Sequence, residues 1–163
     1  MKRTEIAVFA GGCFWGVEHL MAQQNGVLDI QCGYTGGHVP QPNYEQVCSG
    51  HTGHYEAVRI LFDPQTVSYE TLAKLFFEIH DPTQSDGQGP DVGAQYRSAI
   101  FYTSQTQKNT AQNLIEILKS RGYPVVTQLL PLEHFWPAED YHQHYYQRTG
   151  TQPYCHRRMK RFD

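Results

Sequence analysis

Cysteine is an intrinsically strong nucleophile, and the chain has four cysteines, at positions 13, 32, 48 and 155. Cys13 stands out because Gly12 precedes it, Phe14-Trp15-Gly16 follows it, and an apolar run lies just before, at 6–10. That run predicts a buried strand, and the apolar residues after it recur at helical spacing. The first turn of a helix offers unpaired N–H groups and a positive dipole end, which stabilise a thiolate. We predict that Cys13 is a nucleophile; the alternative is a small apolar residue in a core segment.

The other cysteines differ in their surroundings. Cys32 lies in the apolar stretch 27–34, which predicts a buried side chain, and we expect the same of Cys48. Cys155 lies in a polar tail beside His156 and two arginines, a basic setting that favours the thiolate. No pair has the C-x-x-C spacing of zinc ribbons or thioredoxin-type redox sites.

Composition and the N-terminal segment exclude several classes of protein. The 163 residues are 39% hydrophobic and 18% charged, which argues against a membrane protein, a coiled coil and a disordered chain. The formal net charge of −3 argues against a nucleic-acid partner held by bulk charge. The uncharged run 6–17 contains three glycines and is too short to span a bilayer, so we expect no signal peptide. We therefore predict a cytoplasmic protein, in which static disulfides are rare.

Apolar periodicity predicts alternating strands and helices. We expect strands at 6–10, 27–34, 55–62, 96–102 and 125–130, helices at 14–21, 69–79 and 111–118, and a short helix from Pro137 through Tyr145. Glycine-rich segments at 35–53 and 81–95 predict long loops. The first six elements follow the order β-α-β-β-α-β of a split βαβ unit. We predict an α+β, two-layer α/β sandwich with a ferredoxin-like core in one domain, 1–163, whose polar tail, 149–163, is mobile and carries Cys155.

Several further segments match one family in order along the chain. They are GCFWG (12–16), GYTGG (33–37), NYEQVCSG (43–50), TGH (52–54), EAV (56–58), DPTQ (81–84), QYRSAI (95–100), and FW with AEDYHQ between 135 and 143. Together they cover roughly residues 5–155, and the sequence resembles the A-type peptide methionine sulfoxide reductases. One departure is Tyr55, where many members have alanine.

The resemblance implies a reaction and a set of site residues. A thiolate attacks the sulfoxide sulfur, and an acid protonates the departing oxygen. The implied roles are Cys13 as nucleophile, Glu56 as acid, Tyr44 and Tyr96 as hydroxyl donors to the oxygen, Asp91 as support for those donors, and Phe14 and Trp15 as the pocket for the S-methyl group. A carboxyl flanked by apolar residues at a strand start would keep its proton through desolvation.

The resemblance also implies how the enzyme is recycled. The sulfenic acid left on Cys13 condenses with a nearby thiol, for which Cys155 is the best candidate, and thioredoxin then reduces the disulfide. Cys48 and Cys32 are the competing candidates. The implied substrates are proteins and peptides that contain methionine S-sulfoxide, and also the free amino acid. No organic cofactor or metal is required, and we expect a monomer.

Three other functions are compatible with parts of the sequence. Cys48, His51 and His54 are spaced three residues apart and suggest a metal site, to which His142 and His144 would add ligands. A cysteine hydrolase or acyl transferase would pair Cys13 with a histidine base and need no resolving thiol. A module that only binds oxidised methionine would leave Cys13 inert.

Overall fold

A six-stranded mixed sheet is the centre of the fold, and the computed structural model describes residues 3–154 and 156–162. The elements are β1 (Glu5–Gly11), α1 (Phe14–Ala22), β2 (Val27–Thr35), α2 (Tyr44–Cys48), β3 (Tyr55–Phe62), α3 (Tyr69–Ile79), β4 (Gly87–Gln88), β5 (Asp91–Val92), β6 (Ser98–Tyr102), α4 (Gln105–Ser120), β7 (Gln128–Pro131), β8 (Phe135–Pro137) and α5 (Tyr145–Thr149). Short 3-10 helices lie at Ala94–Tyr96 and Asp140–His142. The sheet order is β7-β6-β1-β3-β2-β8, and β4 and β5 form a separate hairpin.

The four central strands confirm the predicted split βαβ core. Their order is β6-β1-β3-β2, and all three pairings between them are antiparallel. Numbered within the unit, this is the order fourth, first, third, second. β7 extends the sheet in parallel beside β6, and β8 extends it antiparallel beside β2. Buried residues of α1, α3 and α4 share one core with the sheet, so the sheet and helices form the predicted sandwich.

Strand β1 is apolar from Ile6 onward, and from Ala7 onward both of its faces are covered. Ala7 and Phe9 point into the larger core under the helices, whereas Val8 and Ala10 point into a smaller core on the other face. The Phe9 ring stacks on Phe76 of α3 with ring centres 4.9 Å apart. Within residues 3–154 and 156–162, no helix combines the length and apolarity that crossing a bilayer requires.

Helix α3 begins where the sequence predicts. The Ser68 hydroxyl accepts a hydrogen bond from the Thr71 backbone N–H at 3.0 Å, which satisfies one of the unpaired donors of the first turn. Burial of Leu72, Phe76 and Ile79 on one side of the helix then fixes it against the sheet.

The C-terminal third differs from the prediction. The predicted strand 125–130 occupies Gln128–Pro131, and β8 follows it, so Pro137 ends a strand rather than opening a helix. The last helix is Tyr145–Thr149. β8 pairs with β2 where Gly33 leaves room, because a Cβ on Gly33 would lie 2.3 Å from the Phe135 ring. A three-residue strand gives too short a pattern to be recognised from periodicity.

The described part of the C-terminal tail is bound to the domain. The buried Glu78 carboxylate accepts hydrogen bonds from the Arg158 guanidinium, at 2.8 and 3.0 Å, and from the backbone N–H groups of Arg161 and Phe162. The Phe162 side chain is itself buried. Any movement of the tail therefore has to break these contacts. Cys155, the predicted resolving cysteine, lies outside the described residues.

Strand register brings the predicted site residues to one end of the sheet. Antiparallel pairing joins Phe9 to Val58, and continuing that register by two residues sets Gly11 opposite Glu56. Gly11 also pairs with Ser98 of β6, two residues after Tyr96. The end of β1, the start of β3 and the approach to β6 therefore converge next to Cys13.

Candidate active site

Cys13 lies at the turn between β1 and α1. It is the N-cap residue of α1, and its carbonyl accepts hydrogen bonds from the N–H groups of Gly16 at 3.2 Å and Val17 at 3.5 Å. Gly12 has a φ of +96°, a conformation that favours glycine, and a Cβ there would lie 2.6 Å from the Gln88 side chain. The turn therefore requires Gly12, and it holds Cys13 at the positive end of the helix dipole.

Glu56 faces the same helix end from β3. Its Oε1 accepts a hydrogen bond from the Phe14 backbone N–H at 3.3 Å, so the carboxyl caps the first turn after Cys13. Its Oε2 is buried and makes no hydrogen bond within the described residues. Burial, with a smaller contribution from the charge of Asp91, raises the pKa of Glu56 from 4.5 to about 8. The carboxyl is therefore protonated at neutral pH and has a proton to donate.

Tyr44, the first residue of α2, and Tyr96, the last residue of the 3-10 helix Ala94–Tyr96, lie close to Glu56. The Tyr44 and Tyr96 side chains lie close enough for each to affect the pKa of the other. Burial raises the pKa of both phenols above its usual value, and the charge of Glu56 raises both further. Both hydroxyls thus remain neutral donors at physiological pH and share one site with the carboxyl.

A capping box fixes the position of Tyr44. The Asn43 side chain accepts from the Gln46 backbone N–H at 2.8 Å, and the Gln46 side chain accepts from the Asn43 backbone N–H at 2.9 Å. Glu139 adds a second restraint, because its carboxylate accepts from the Tyr44 backbone N–H and from the Tyr34 hydroxyl, both at 2.9 Å.

Asp91 lies at the start of β5 and borders the site on the side of the β4–β5 hairpin. Both of its carboxylate oxygens accept hydrogen bonds from the Tyr154 hydroxyl, at 3.0 and 2.9 Å. Its negative charge acts to raise the pKa of Glu56, Tyr96 and His156. The structure thus joins Asp91 to the C-terminal tail through a hydrogen bond and to Tyr96 through its negative charge.

Phe14 and Trp15 supply the aromatic surface beside Cys13. Phe14 is buried, whereas Trp15 is half-buried and stacks on Tyr145 with ring centres 3.7 Å apart. The Trp15 indole N–H donates to Nδ1 of His142 at 3.0 Å, and the His142 ring also packs against Phe14 and Tyr44. The Trp15 ring is therefore held on two sides.

With this geometry established, comparison with known proteins gives the family. A family model described as "Peptide methionine sulfoxide reductase" matches residues 5–163. This chain belongs to the peptide methionine sulfoxide reductase family. It is an oxidoreductase that reduces methionine sulfoxide, as the resemblance predicted.

Relatives and solved structures agree with this assignment. The chain is 54% identical over 149 residues to a "Peptide methionine sulfoxide reductase MsrA" of Nautilia profundicola, covering 91% of this chain and 86% of the relative. Reduced Mxr1 from Saccharomyces cerevisiae has a TM-score of 0.89 at 33% identity, over 96% of this chain and 92% of that one. Methionine sulfoxide reductase A of Corynebacterium diphtheriae has a TM-score of 0.83 at 34% identity, over 93% and 77%. A structure of Mxr1 in complex with Trx2 has a TM-score of 0.64 at 23% identity, over 96% and 90%, and supports the fold alone.

The two remaining described cysteines of this reductase differ from each other. Cys32 on β2 is fully buried as predicted; its thiol donates to the Phe14 carbonyl at 3.6 Å, and burial raises its pKa well above the usual value. The prediction that Cys48 is buried is wrong, because Cys48 ends the short helix α2 and is exposed. Cys48 and Tyr44 each affect the pKa of the other, so Cys48 borders the site.

His54, one of the three residues that suggested a metal site, is engaged in other contacts. Nδ1 of His54 accepts from the Gly37 backbone N–H at 3.1 Å, and Nε2 donates to the Val39 carbonyl at 2.7 Å, so both ring nitrogens are engaged in the loop. In the described part of the chain, His, Cys, Asp and Glu form no cluster of three or more that could hold a metal ion.

Three residues of the site were missed as such by sequence reasoning. Glu139 and His142 lie within the motif at 135–143, but the residues that they contact are distant in the sequence. Glu139 is 95 positions from Tyr44, and His142 is 127 positions from Trp15. Tyr145, which stacks on Trp15, carries no motif signal. Only the fold brings these residues to the helix that follows Cys13.

Proposed function

We propose that this reductase acts through attack of the Cys13 thiolate on the sulfoxide sulfur while Glu56 protonates the sulfoxide oxygen. The observation that carries the proposal is the Glu56 carboxyl: it is buried, has a pKa of about 8, and its Oε2 makes no hydrogen bond within the described residues. A general acid needs a proton at working pH and an acceptor within reach, and the substrate oxygen would supply that acceptor.

The electrons and atoms of this step balance without any added group. The sulfur of Cys13 loses two electrons and becomes a sulfenic acid, and the substrate sulfur gains two electrons and becomes a thioether. The oxygen passes from substrate to Cys13, and the proton from Glu56 accompanies it. Tyr44 and Tyr96 donate hydrogen bonds to the oxygen as negative charge develops on it, and Asp91 supports them electrostatically. We expect no organic cofactor or metal.

Phe14 and Trp15 form the pocket for the S-methyl group. A contact between a sulfur atom and an aromatic ring is worth ~0.3–1.5 kcal/mol, so these two rings favour binding of the substrate sulfur and its methyl group. The Trp15 ring is held by stacking on Tyr145 and by its hydrogen bond to His142. A rigid aromatic wall on one side and hydroxyl donors on the other let the site distinguish the two sulfoxide epimers. The resemblance to the A-type reductases implies that the S-epimer is the one reduced, both in peptides and as the free amino acid.

Cys155 resolves the sulfenic acid, and thioredoxin reduces the resulting disulfide. The sequence neighbours of Cys155 support this assignment, because Tyr154 is hydrogen-bonded to Asp91 and His156 to the Gly11 carbonyl. Both partners border the site of Cys13. Disulfide exchange with a dithiol protein then restores both thiols, and thioredoxin supplies such a dithiol in the cytoplasm, where we expect the enzyme.

Peptide mapping after a single turnover tests this assignment. Reduced enzyme is mixed with one equivalent of a peptide that contains methionine S-sulfoxide, quenched with alkylating reagent and digested. We expect about one methionine per enzyme and a bridge between Cys13 and Cys155, and a Cys48→Ser variant should give the same map. A bridge between Cys13 and Cys48 would contradict the role of Cys155.

A further inference from the structure

The residue after Cys155 is anchored at the turn that carries Cys13. His156 is only 5% exposed, and its Nε2 lies 2.6 Å from the Gly11 carbonyl oxygen. Because a carbonyl can only accept, Nε2 donates this bond. Burial lowers the pKa of His156 below its usual value, so the ring is neutral at pH 7 with its proton on Nε2.

A notch formed by Gly11, Gly12 and Gly16 accommodates the His156 ring. A Cβ on Gly16 would lie 2.2 Å from Nδ1 of His156, and a Cβ on Gly12 would lie 3.3 Å from Nε2. Any side chain at position 16 would therefore occupy the volume of the ring. Gly12 and Gly16, on either side of the nucleophile, thus make room for a residue that lies 144 and 140 positions later in the chain.

The rest of the tail has its own attachment, which does not depend on this notch. Glu78 holds Arg158 and the backbone of 161–162, and the Met159 N–H donates to the Glu78 carbonyl at 2.7 Å. These contacts hold residues 158–162 on α3 and are separate from those of His156. The His156 contact acts on a different part of the tail, the segment that adjoins Cys155.

We propose that His156 is a positioning residue for the resolving step: by docking in the notch, it restrains the segment that adjoins Cys155 beside the turn that carries Cys13. This inference rests on the proposed role of Cys155. In that step the sulfenic acid of Cys13 and the thiol of Cys155 form an S–S bond and release the sulfenic oxygen as water, with no added oxidant. Consecutive Cα atoms are ~3.8 Å apart, so an anchored His156 restricts the volume that its neighbour can explore and raises the effective concentration of the thiol.

The test separates sulfoxide reduction from disulfide formation in a single turnover. Reduced enzyme is mixed with a methionine S-sulfoxide peptide, and methionine and the bridge are followed over time by quenching and mass spectrometry. For His156→Ala we expect methionine to form at the wild-type rate and the bridge to form roughly 10–100-fold more slowly, as effective concentration falls. His156→Gln retains a donor at the position of Nε2 and should recover the wild-type rate to within about threefold. Lys160→Gln, an exposed change in the same tail, is the matched control and should match the wild type.

A second variant displaces the ring without changing it. Gly16→Ala places a methyl group where Nδ1 lies, so it should also slow bridge formation at least about tenfold, and thermal melting of each variant confirms that it is folded. A wild-type rate of bridge formation in folded His156→Ala or Gly16→Ala overturns the proposal. The Cys155→Ser variant distinguishes failure of the resolving role of Cys155 from failure of the positioning role of His156. If this variant still forms an internal bridge at the wild-type rate, the resolving role of Cys155 itself is wrong. If Cys155→Ser blocks the bridge and His156→Ala does not slow it, only the positioning role is wrong.

Discussion

Replacing Glu56 with glutamine should stabilise the protein in alkaline solution and slow its reaction. The pKa of Glu56 is raised from 4.5 to about 8 in the folded protein, chiefly by burial. The folded state therefore keeps a proton that the unfolded state has already lost. The stability that this group contributes is complete below pH 4.5 and is lost as pH rises through about 8.

The size of the effect on the free energy of unfolding follows from the interval between these two pKa values. Each pH unit between the two pKa values changes the free energy of unfolding by about 1.4 kcal/mol, which amounts to roughly 5 kcal/mol across the whole interval. Glutamine has the shape of the protonated acid and can still accept from the Phe14 N–H. Its free energy of unfolding should thus exceed that of the wild type by an amount that grows up to about pH 8 and is then constant.

Urea unfolding of both proteins from pH 5 to pH 9 measures this difference, and subtracting the two curves cancels other titrating groups. Glu133→Gln, a change at an exposed carboxyl, is the control and should produce no such slope. Activity should change in the opposite direction: Glu56→Gln should slow formation of the sulfenic acid by roughly 10²–10⁴-fold, most at neutral pH and less in acid, where solvent can protonate the oxygen. A difference in stability that does not vary with pH would show that Glu56 ionises normally, and its role as proton donor would then be untenable.

Four further predictions concern the nucleophile, its recycling, the tail and the substrate. Cys13→Ser should abolish reduction of methionine sulfoxide, because a hydroxyl cannot replace the thiolate; product above a few per cent of the wild-type amount would place the nucleophile elsewhere. Cys155→Ser should still form about one methionine per enzyme and turn over in part with dithiothreitol, which attacks a sulfenic acid directly, whereas steady-state turnover with thioredoxin should collapse. Glu78→Ala should lower the free energy of unfolding by about 2–4 kcal/mol in urea titrations, since it leaves the Arg158 ion pair and the tail N–H groups without their acceptor. Chiral chromatography of a mixture of both sulfoxide epimers should show consumption of the S-epimer only, and equal consumption would refute the proposed pocket.

Elements with a strong local signal were predictable from the sequence. β1, β3 and α3 have long apolar patterns and, for α3, a capping serine at 68, and the structure confirms all three. Helix α2 lies within the segment predicted to be loop, although Asn43 and Gln46 have the spacing of a capping box, which is a local signal for a helix start. β8 gave no usable signal, because three residues that end in proline have no period and their pairing depends on the space above Gly33.

The residues of the candidate site likewise divide into those with a local sequence signal and those without one. Cys13 and Glu56 each lie in a short motif, so their positions followed from the sequence and its resemblance to a family. The support for Trp15 and Tyr44 comes from His142 and Glu139, whose contacts exist only after β8 has paired with β2 and brought the following segment back to α1. Cys48 was assigned to the core from residue type alone, and its place at the last turn of a five-residue helix exposes it instead.

Strand register is what makes this set of residues a single site. The helix dipole at Cys13 stabilises the deprotonated form of the thiol, whereas burial at Glu56 stabilises the protonated form of the carboxyl. The two groups must lie close together while the thiol stays deprotonated and the carboxyl stays protonated. The hydrogen bond from the Phe14 N–H to Oε1 allows this because it engages one carboxyl oxygen and leaves Oε2 to carry the proton. A slip of one residue between β1 and β3 would turn Glu56 to the opposite face of the sheet and leave the end of α1 without that acceptor. The buried part of β1, from Ala7 to Gly11, is fixed by apolar contacts on both faces and prevents such a slip.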